Sequence, residues 1–140
     1  MHVDVSRLPS DKPRHLLGLG EPDDIFIGIE NGADTFDCVS PARIARNGSI
    51  YTLSGRFDVT KAKYKSDFSP LVDGCSCYTC QNYSKAYLRH LFKAKERLSA
   101  TLATIHNEYF IVKLVDDIRS SIIQENFQSF KQDRLQEYYG

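Results

Sequence analysis

Three cysteines within six residues constrain this chain more than any other feature of its sequence. Cys75, Cys77 and Cys80 form a C-x-C-x₂-C motif, and His106 follows in a segment with helical periodicity. Three such thiols cannot all pair with one another, and in a reducing compartment they favour a shared soft cation. Zn²⁺ binds sulfur and imidazole ligands in a tetrahedron, and three cysteines with one histidine form one of its closed sets. We predict one structural Zn²⁺ per chain, because a closed set leaves no position for a reacting water.

Two alternatives remain open on the sequence alone. His90 competes for the fourth ligand position, although it shares a helical face with Tyr83, Tyr87 and Leu91 that favours packing. The second alternative is that the cysteines bind no metal and are unpaired or partly oxidised, and that His106 is a core residue. The remaining cysteine, Cys38, is predicted to be a buried strand residue.

The composition is that of one ordinary globular domain. The chain has 140 residues, 41% of them hydrophobic, with 18 basic and 18 acidic side chains. No apolar run reaches the ~18 residues of a membrane-spanning helix, and residues 1–14 are too polar for a secretory signal. We therefore expect a soluble, cytoplasmic protein with no membrane partner. The length is well below the ~250 residues of a complete (β/α)₈ barrel.

The net charge of zero conceals a segregated distribution. Residues 1–37 carry three basic and eight acidic side chains, whereas residues 38–66 carry six basic side chains and one acidic side chain. A local basic stretch in a neutral protein indicates a confined contact with a polyanion. A solvated surface is the equally compatible alternative.

Local patterns predict an α/β fold. Residues 14–39 predict a strand, a glycine loop, a helix and a short strand over Thr35–Val39. The helix is favoured by Pro22 at its start and by Asn31-Gly32 at its end, although Ile25, Ile27 and Ile29 alternate as in a strand.

The remainder predicts a hairpin followed by helices. Residues 49–60 alternate around Ser54-Gly55, which indicates a β-hairpin, and residues 61–74 form an extended basic connection. Apolar residues then recur every three or four positions, at Tyr83, Tyr87, Leu91, Ala94 and Leu98, and at Leu102, Ile105, Tyr109, Val112, Val115, Ile118 and Ile122. We divide the chain into two units, residues 1–66 and residues 67–140, with the boundary inside this basic connection.

Asp37 is the main candidate for catalysis. It lies between Phe36 and Val39 in the short strand, where a carboxylate is costly to bury unless another group uses or pairs it. In α/β barrels a charged residue at the carboxyl end of a strand usually belongs to the active site, as a base, a metal ligand or a nucleophile toward a sugar carbon. A structural salt bridge fits the sequence equally well, and Asp34 is a nearby alternative.

Two arginines follow this strand. Arg43 and Arg46 come just after Asp37, so we expect them to point into the space above its carboxylate and to hold phosphates or base edges. Beside that carboxylate they indicate an anionic substrate whose scissile group lies next to it. Residues 18–24 form a comparable loop before a helix.

Five segments together carry a family resemblance: DKPRHLLGLGEPDDI, DTFDCVSPARIARNG, AKYKSDFSPL, CSCYTCQNYSKAYLRHLF and TIHNEYF. In this order and spacing they resemble the C-terminal part of bacterial-type tRNA-guanine transglycosylase, over essentially the whole chain. The resemblance implies the last strands of a TIM (β/α)₈ barrel, a zinc-binding subdomain and a helical tail. It also implies exchange of the wobble guanine of certain tRNAs for a 7-deazaguanine precursor of queuosine.

The resemblance assigns a role to each candidate residue. Asp37 matches the nucleophile that attacks the ribose C1′ and holds the tRNA covalently. The zinc ligands are matched by Cys75, Cys77, Cys80 and His106. The segment that recognises the wobble position is matched by Ala42, Arg43, Ile44, Ala45 and Arg46. A further RNA-contacting loop is matched by Gly18, Leu19, Gly20, Glu21, Pro22, Asp23 and Asp24.

The implied partners are the anticodon stem-loop of tRNA, guanine, a 7-deazaguanine base and a second copy of the chain. Tyr83, Tyr87 and His90 match the helix that helps form the homodimer in similar proteins. The family's proton-accepting aspartate and most of its base-binding residues lie upstream of these motifs. We therefore expect the 140 residues alone, as a fragment or as a half that needs a partner chain, to lack turnover. A non-catalytic, zinc-stabilised module for tRNA binding or subunit interaction is the alternative function.

Overall fold

The computed structural model describes residue 5 and residues 7–140 of the chain. Residues 1–4 and 6, which the sequence assigns to the first unit, lie outside this description. The fold is mixed α/β, as predicted. In chain order the elements are strand β1 (His15–Leu17), helix α1 (Pro22–Glu30), strand β2 (Thr35–Asp37), helix α2 (Ser40–Ala45), strands β3 (Ser49–Thr52) and β4 (Gly55–Asp58), a 3₁₀ turn (Ala62–Tyr64), and helices α3 (Tyr78–Asn82), α4 (Lys85–Lys93), α5 (Leu98–Ile123) and α6 (Phe127–Tyr139).

The first elements form a parallel β-α-β unit. β1 and β2 pair in parallel, with Leu17 opposite Asp37 at the carboxyl end of both strands, and α1 connects them. The predicted order of strand, loop, helix and strand is confirmed. The prediction that β2 continues to Val39 is wrong, because the chain turns into α2, whose first turn contains Pro41. Cys38 is consequently half-buried beyond the strand and is not a buried strand residue.

The caps of α1 outweigh its alternating isoleucines. Pro22 opens the helix, and the Asn31 side chain donates a hydrogen bond to the carbonyl of Ile27 (2.8 Å) where the helix ends. Ile25 and Phe26 are buried in a cluster with residues of α5, and α6 packs against the same cluster. The buried face of α1 therefore follows the helical repeat of 3.6 residues.

The predicted hairpin is confirmed. β3 and β4 pair antiparallel, with Ser49 opposite Asp58 and Thr52 opposite Gly55. Gly55 has a φ of +104°, a conformation that is open to glycine and strained for other residues. The expected extended connection over residues 61–74 contains the 3₁₀ turn and is otherwise irregular.

The apolar stripe predicted over residues 83–98 is not one helical face. Tyr83 follows the end of α3, and the Ser84 hydroxyl accepts a hydrogen bond from the Tyr87 amide (3.2 Å) to cap α4. Lys95, with a φ of +59°, separates α4 from α5, and Leu98 is exposed at the start of α5. These loop residues break the helix that the spacing alone suggested.

The stripe predicted along α5 is correct only in part. Leu102 and Ile118 are buried, whereas Tyr109, Val112 and Ile122 are exposed. The buried face instead includes two polar residues, His106 and Asn107. Both bond to polar groups of other elements, so α5 faces polar backbone where the apolar pattern predicted hydrocarbon.

α5 belongs to both hydrophobic cores. Leu102 and Ala103 join the core that contains α4 and the hairpin, whereas Leu114 and Ile118 join the core of α1 and α6. The division into two units at residue 66 stays a prediction. Within the described part of the chain, no helix is long and apolar enough to cross a membrane.

Candidate metal centre and nucleic-acid face

The four predicted metal ligands come together in space. The sulfurs of Cys75, Cys77 and Cys80 lie 3.8, 3.4 and 3.4 Å from Nδ1 of His106, and all four atoms lie within 4.8 Å of one another. Ligands on a tetrahedral zinc stand about 3.6 Å apart for one sulfur and one nitrogen, given the usual bond lengths. The donor set and its spacing fit a divalent cation. The competing ligand His90 is exposed on α4 and is not part of the cluster.

A short turn brings the three thiols together. Cys77 precedes α3, and its sulfur accepts a hydrogen bond from the Cys80 amide (3.3 Å), as an N-cap side chain does. The Gln81 side chain donates to the carbonyl of Cys75 (2.8 Å) and closes the turn. The C-x₂-C half of the motif therefore folds as the first turn of a helix.

His106 is positioned by the hairpin. Its ring is buried, and Nε2 donates a hydrogen bond to the carbonyl of Tyr51 on β3 (2.9 Å). This bond places the proton on Nε2, so Nδ1 presents a lone pair to the sulfurs. The Thr79 hydroxyl also donates to the carbonyl of Leu102 (2.6 Å), which ties α3 to α5.

The thiols perturb one another strongly. A hydrogen bond from the Cys80 thiol lowers the pKa of Cys77 to about 4, and the same bond raises the pKa of Cys80. Burial raises the pKa of Cys75. The three sulfurs therefore share protons when no cation is bound, and a divalent cation stabilises all three as thiolates.

Asn107 connects α5 to two other elements. Its side chain is fully buried, and Oδ1 accepts a hydrogen bond from the Tyr51 amide (3.0 Å). Nδ2 donates to the carbonyls of Pro41 (3.1 Å) and Ser49 (2.9 Å). The residue beside the metal ligand thus fixes the start of both α2 and β3. This role was not predicted from the sequence, where the only signal for it is a polar His-Asn pair inside an apolar helical pattern.

Asp37 lies at the surface. It is the last residue of β2 and is exposed, so the predicted cost of burying its carboxylate does not arise. Its carbonyl accepts a hydrogen bond from the Gly18 amide (2.7 Å), which brings the 18–24 loop beside it. None of the ion pairs between residues 7 and 140 includes Asp37. The alternative residue, Asp34, accepts a hydrogen bond from the Arg14 amide (2.8 Å).

The predicted wobble segment forms α2 and its C-cap. Arg43 and Arg46 are exposed, and Ala42 and Ile44 are half-buried. Ala45 is fully buried in the hydrophobic core, so its side chain presents no surface to RNA. The segment therefore offers its two guanidinium groups to solvent, starting six residues after Asp37.

The predicted RNA loop is engaged mainly with the protein itself. Gly20 is buried, and a Cβ there would lie 2.4 Å from Cβ of Cys38. The Tyr139 hydroxyl donates to Asp23 (2.6 Å), and Glu21 accepts from Ser40. Within the predicted loop, Gly18 is exposed and Leu19 is half-buried, whereas the buried Pro22 and the half-buried Asp24 belong to the first turn of α1.

Comparison with known proteins identifies relatives over nearly the whole chain. The sequence model of the queuine tRNA-ribosyltransferase family matches residues 2–140. The queuine tRNA-ribosyltransferase of Caldanaerobacter subterraneus subsp. tengcongensis is 56% identical over 133 residues, which are 95% of this chain and 36% of that protein. The proteins of that name from Pelotomaculum thermopropionicum and Streptococcus agalactiae are 51% identical over 136 residues and 49% identical over 137 residues. Each stretch is 97% of this chain, and the chain spans about a third of these relatives' length.

We expect purified, reduced protein to bind about one divalent cation per chain, and Cys77→Ser to abolish binding because a hydroxyl replaces a thiolate ligand. Metal analysis after gel filtration measures the content. Cys38→Ser is the matched control, since Cys38 lies outside the cluster, and it retains the cation. Binding weakens on acidification, as protons compete for the ligands. A full equivalent of metal in Cys77→Ser would contradict the assignment.

Proposed function

Because the chain belongs to the queuine tRNA-ribosyltransferase family, we propose that it supplies the nucleophile and the anticodon contacts of a tRNA-guanine transglycosylase. Such an enzyme exchanges the wobble guanine of tRNA for a 7-deazaguanine base in queuosine biosynthesis. The observation that carries the proposal is the exposed carboxylate of Asp37 at the carboxyl end of a parallel strand, with two exposed arginines on the helix that follows.

Asp37 acts as a nucleophile toward the ribose. Its carboxylate attacks C1′ of the wobble nucleotide, the bond from C1′ to guanine breaks, and the tRNA becomes bound through an ester to Asp37. The released guanine takes up a proton; a ring N–H of the incoming base then gives up its proton as the nitrogen attacks C1′ and displaces the carboxylate. Two displacements at one carbon retain its configuration, as in retaining glycosidases.

Arg43 and Arg46 hold the anticodon loop above this carboxylate. Their guanidinium groups are exposed on α2 and bind phosphate oxygens or base edges. Acidic side chains dominate residues 1–37, so these two arginines are the first basic groups that follow the mainly acidic segment.

The β-α-β unit is the last part of a TIM (β/α)₈ barrel. Parallel pairing of β1 and β2 through α1 suits that fold, and active sites of such barrels lie at the carboxyl ends of their strands. Residues 1–66 contribute the barrel strands, the Asp37 loop and the hairpin. Residues 67–140 contribute the metal-binding subdomain and the C-terminal helices. The exchange of a tRNA base takes place in the cytoplasm, where we place the protein.

The bound cation is Zn²⁺ and its role is structural. Cys75, Cys77, Cys80 and His106 complete a four-ligand set and leave no open coordination position. Bound there, Zn²⁺ crosslinks the turn before α3 to α5. Through His106 this set braces the hairpin, and the neighbouring Asn107 bonds to α2, while the four ligands themselves do not contact the ribose.

The chain associates with a second copy through an aromatic cluster in which Tyr78 and Tyr87 are exposed and Tyr83 is half-buried. The rings of Tyr83 and Tyr87 stack at 5.4 Å, and Tyr78 packs on Tyr83 at 5.9 Å. Phe68, which is 80% exposed, lines the adjoining groove with Tyr83 and Tyr87, and His90 is exposed one helical turn beyond Tyr87. Apolar patches of this kind mark interaction surfaces.

Asp37→Asn should abolish the covalent adduct with tRNA. We would join residues 2–140 to the part of the Caldanaerobacter relative that the chain does not match, which under this proposal supplies the remaining barrel strands. Denaturing electrophoresis with guanosine-34 tRNA then detects the ester. Asn keeps the shape of the side chain and removes its nucleophilic charge.

Asp34→Asn is the matched control, because Asp34 is also exposed and lies three residues earlier. This variant keeps the adduct. If the unsubstituted chimera binds tRNA reversibly without an adduct, the chain is instead a non-catalytic binding module.

Replacing both Arg43 and Arg46 by Ala should weaken binding of an anticodon stem-loop by tenfold or more, on the order expected for two lost phosphate contacts, and reduce its salt slope by about 1.4. Affinity measured between 50 and 300 mM salt tests this. The double variant of Arg97 and Arg119, two exposed arginines at and within α5, is the charge-matched control. An unchanged slope in the α2 variant would place the anion contacts elsewhere.

Tyr87→Ala should shift the chain from dimer to monomer, because it removes the ring that stacks on Tyr83. Light scattering after gel filtration reports the mass. Tyr109→Ala removes a similarly exposed ring from α5 and leaves the mass unchanged. A monomeric wild-type chain would refute the proposed dimer.

A further inference from the structure

The carboxylate of Glu21 faces the protein, although Glu21 lies in the loop predicted to contact RNA. Its Oε1 accepts hydrogen bonds from the Ser40 hydroxyl (2.6 Å) and the Tyr51 hydroxyl (3.2 Å). The same oxygen lies 3.7 Å from Nη1 of Arg56 on β4. One side chain that is 29% exposed thus joins α2, β3 and β4.

The hydrogen bond between Glu21 and Ser40 lies at the start of α2, between the proposed nucleophile and the proposed RNA-binding arginines. Ser40 is the first residue of α2, lying three residues after Asp37 and three before Arg43. The N-cap residue, Val39, has no side-chain oxygen with which to cap the helix. A displacement of Ser40 therefore changes the separation between the nucleophile and the arginines.

The surroundings hold the Glu21 carboxylate in one orientation. Arg56 compensates its negative charge, which otherwise repels phosphates. Burial, and next the charge of Glu21, raise the pKa of the Tyr51 phenol, which remains a donor at neutral pH. Tyr51 in turn is fixed by Asn107 and His106. The carboxylate is consequently the end of a hydrogen-bonded path that starts at the metal ligands.

We infer that Glu21 is a positioning residue, which holds the start of α2 so that Asp37 and the two arginines meet the same RNA, and which does not itself touch the RNA. The inference rests on the proposed function for its RNA readout. The effect of Glu21 on the stability of α2 is measured separately, in the chain without RNA.

The test compares Glu21→Ala and Glu21→Gln with wild type in the 140-residue chain. Glu30→Ala is the matched control, because Glu30 is a carboxylate on α1 that bonds to Lys131 and Gln128 of α6, away from α2. Two quantities are measured: the affinity for an anticodon stem-loop RNA as a function of salt, and hydrogen exchange of the α2 amides without RNA. Thermal unfolding checks that each variant is folded.

We expect Glu21→Ala to bind about tenfold more weakly, with a salt slope reduced by about 1.4, and its α2 amides to exchange about tenfold faster. Glu21→Gln keeps an oxygen for Ser40 and Tyr51, so it stays within about threefold of wild type. Glu30→Ala leaves both quantities unchanged. If Glu21→Gln keeps wild-type RNA affinity and α2 exchange, the hydrogen bonds to Ser40 and Tyr51 are needed and the negative charge of Glu21 is not.

Three results would overturn the inference. Tighter RNA binding in both Glu21 variants means that the carboxylate faces the RNA and repels it. Unchanged α2 exchange in Glu21→Ala means that Glu21 does not hold the helix, and equal losses in Glu30→Ala mean a general effect of stability. If wild type binds no stem-loop, the proposed function fails, and the α2 exchange alone decides whether Glu21 positions the helix.

Discussion

The hydrogen bond from Nε2 of His106 to the carbonyl of Tyr51 is the contact on which the rest of the structure depends. One nitrogen of this ring faces three thiols, and the other faces the hairpin. The bond orients the ring for a cation, and a cation that holds the ring also holds β3. Binding of a cation by the His106 ring and the position of the hairpin are therefore coupled.

Asn107 extends this coupling to the candidate RNA face. Its amide satisfies three backbone groups, on β3 and at the start of α2, and two of these three hydrogen bonds are buried. Each of these groups left without a partner costs about 1–3 kcal/mol. α5 therefore tolerates polar residues at the centre of its buried face. The arginines of α2 sit on a helix whose position is set from the metal side of the molecule.

Elements that carry their own local signals were predictable from sequence. The C-x-C-x₂-C motif, the caps of α1 and the turn residues of the hairpin each determine structure within a few residues. Predictions failed where distant contacts decide. The side chain of Asn107 meets Pro41 across 66 residues, and no local pattern contains that pairing. The exposure of Asp37 and the inward orientation of the Glu21 carboxylate likewise depend on which elements pack nearby. The hydrophobic periodicity of the sequence does not show this.

Helix α2 has six residues and two incompatible sides. Pro41 and Ala45 face the core, whereas Arg43 faces solvent. Each residue inserted into or deleted from this helix rotates all later helix positions by about 100°. A change of length therefore drives a guanidinium group toward hydrocarbon, or an alanine toward water. The proposed RNA contacts of this helix can therefore change by exchange of side chains at a constant length, with the half-buried positions 42 and 44 as the adjustable ones.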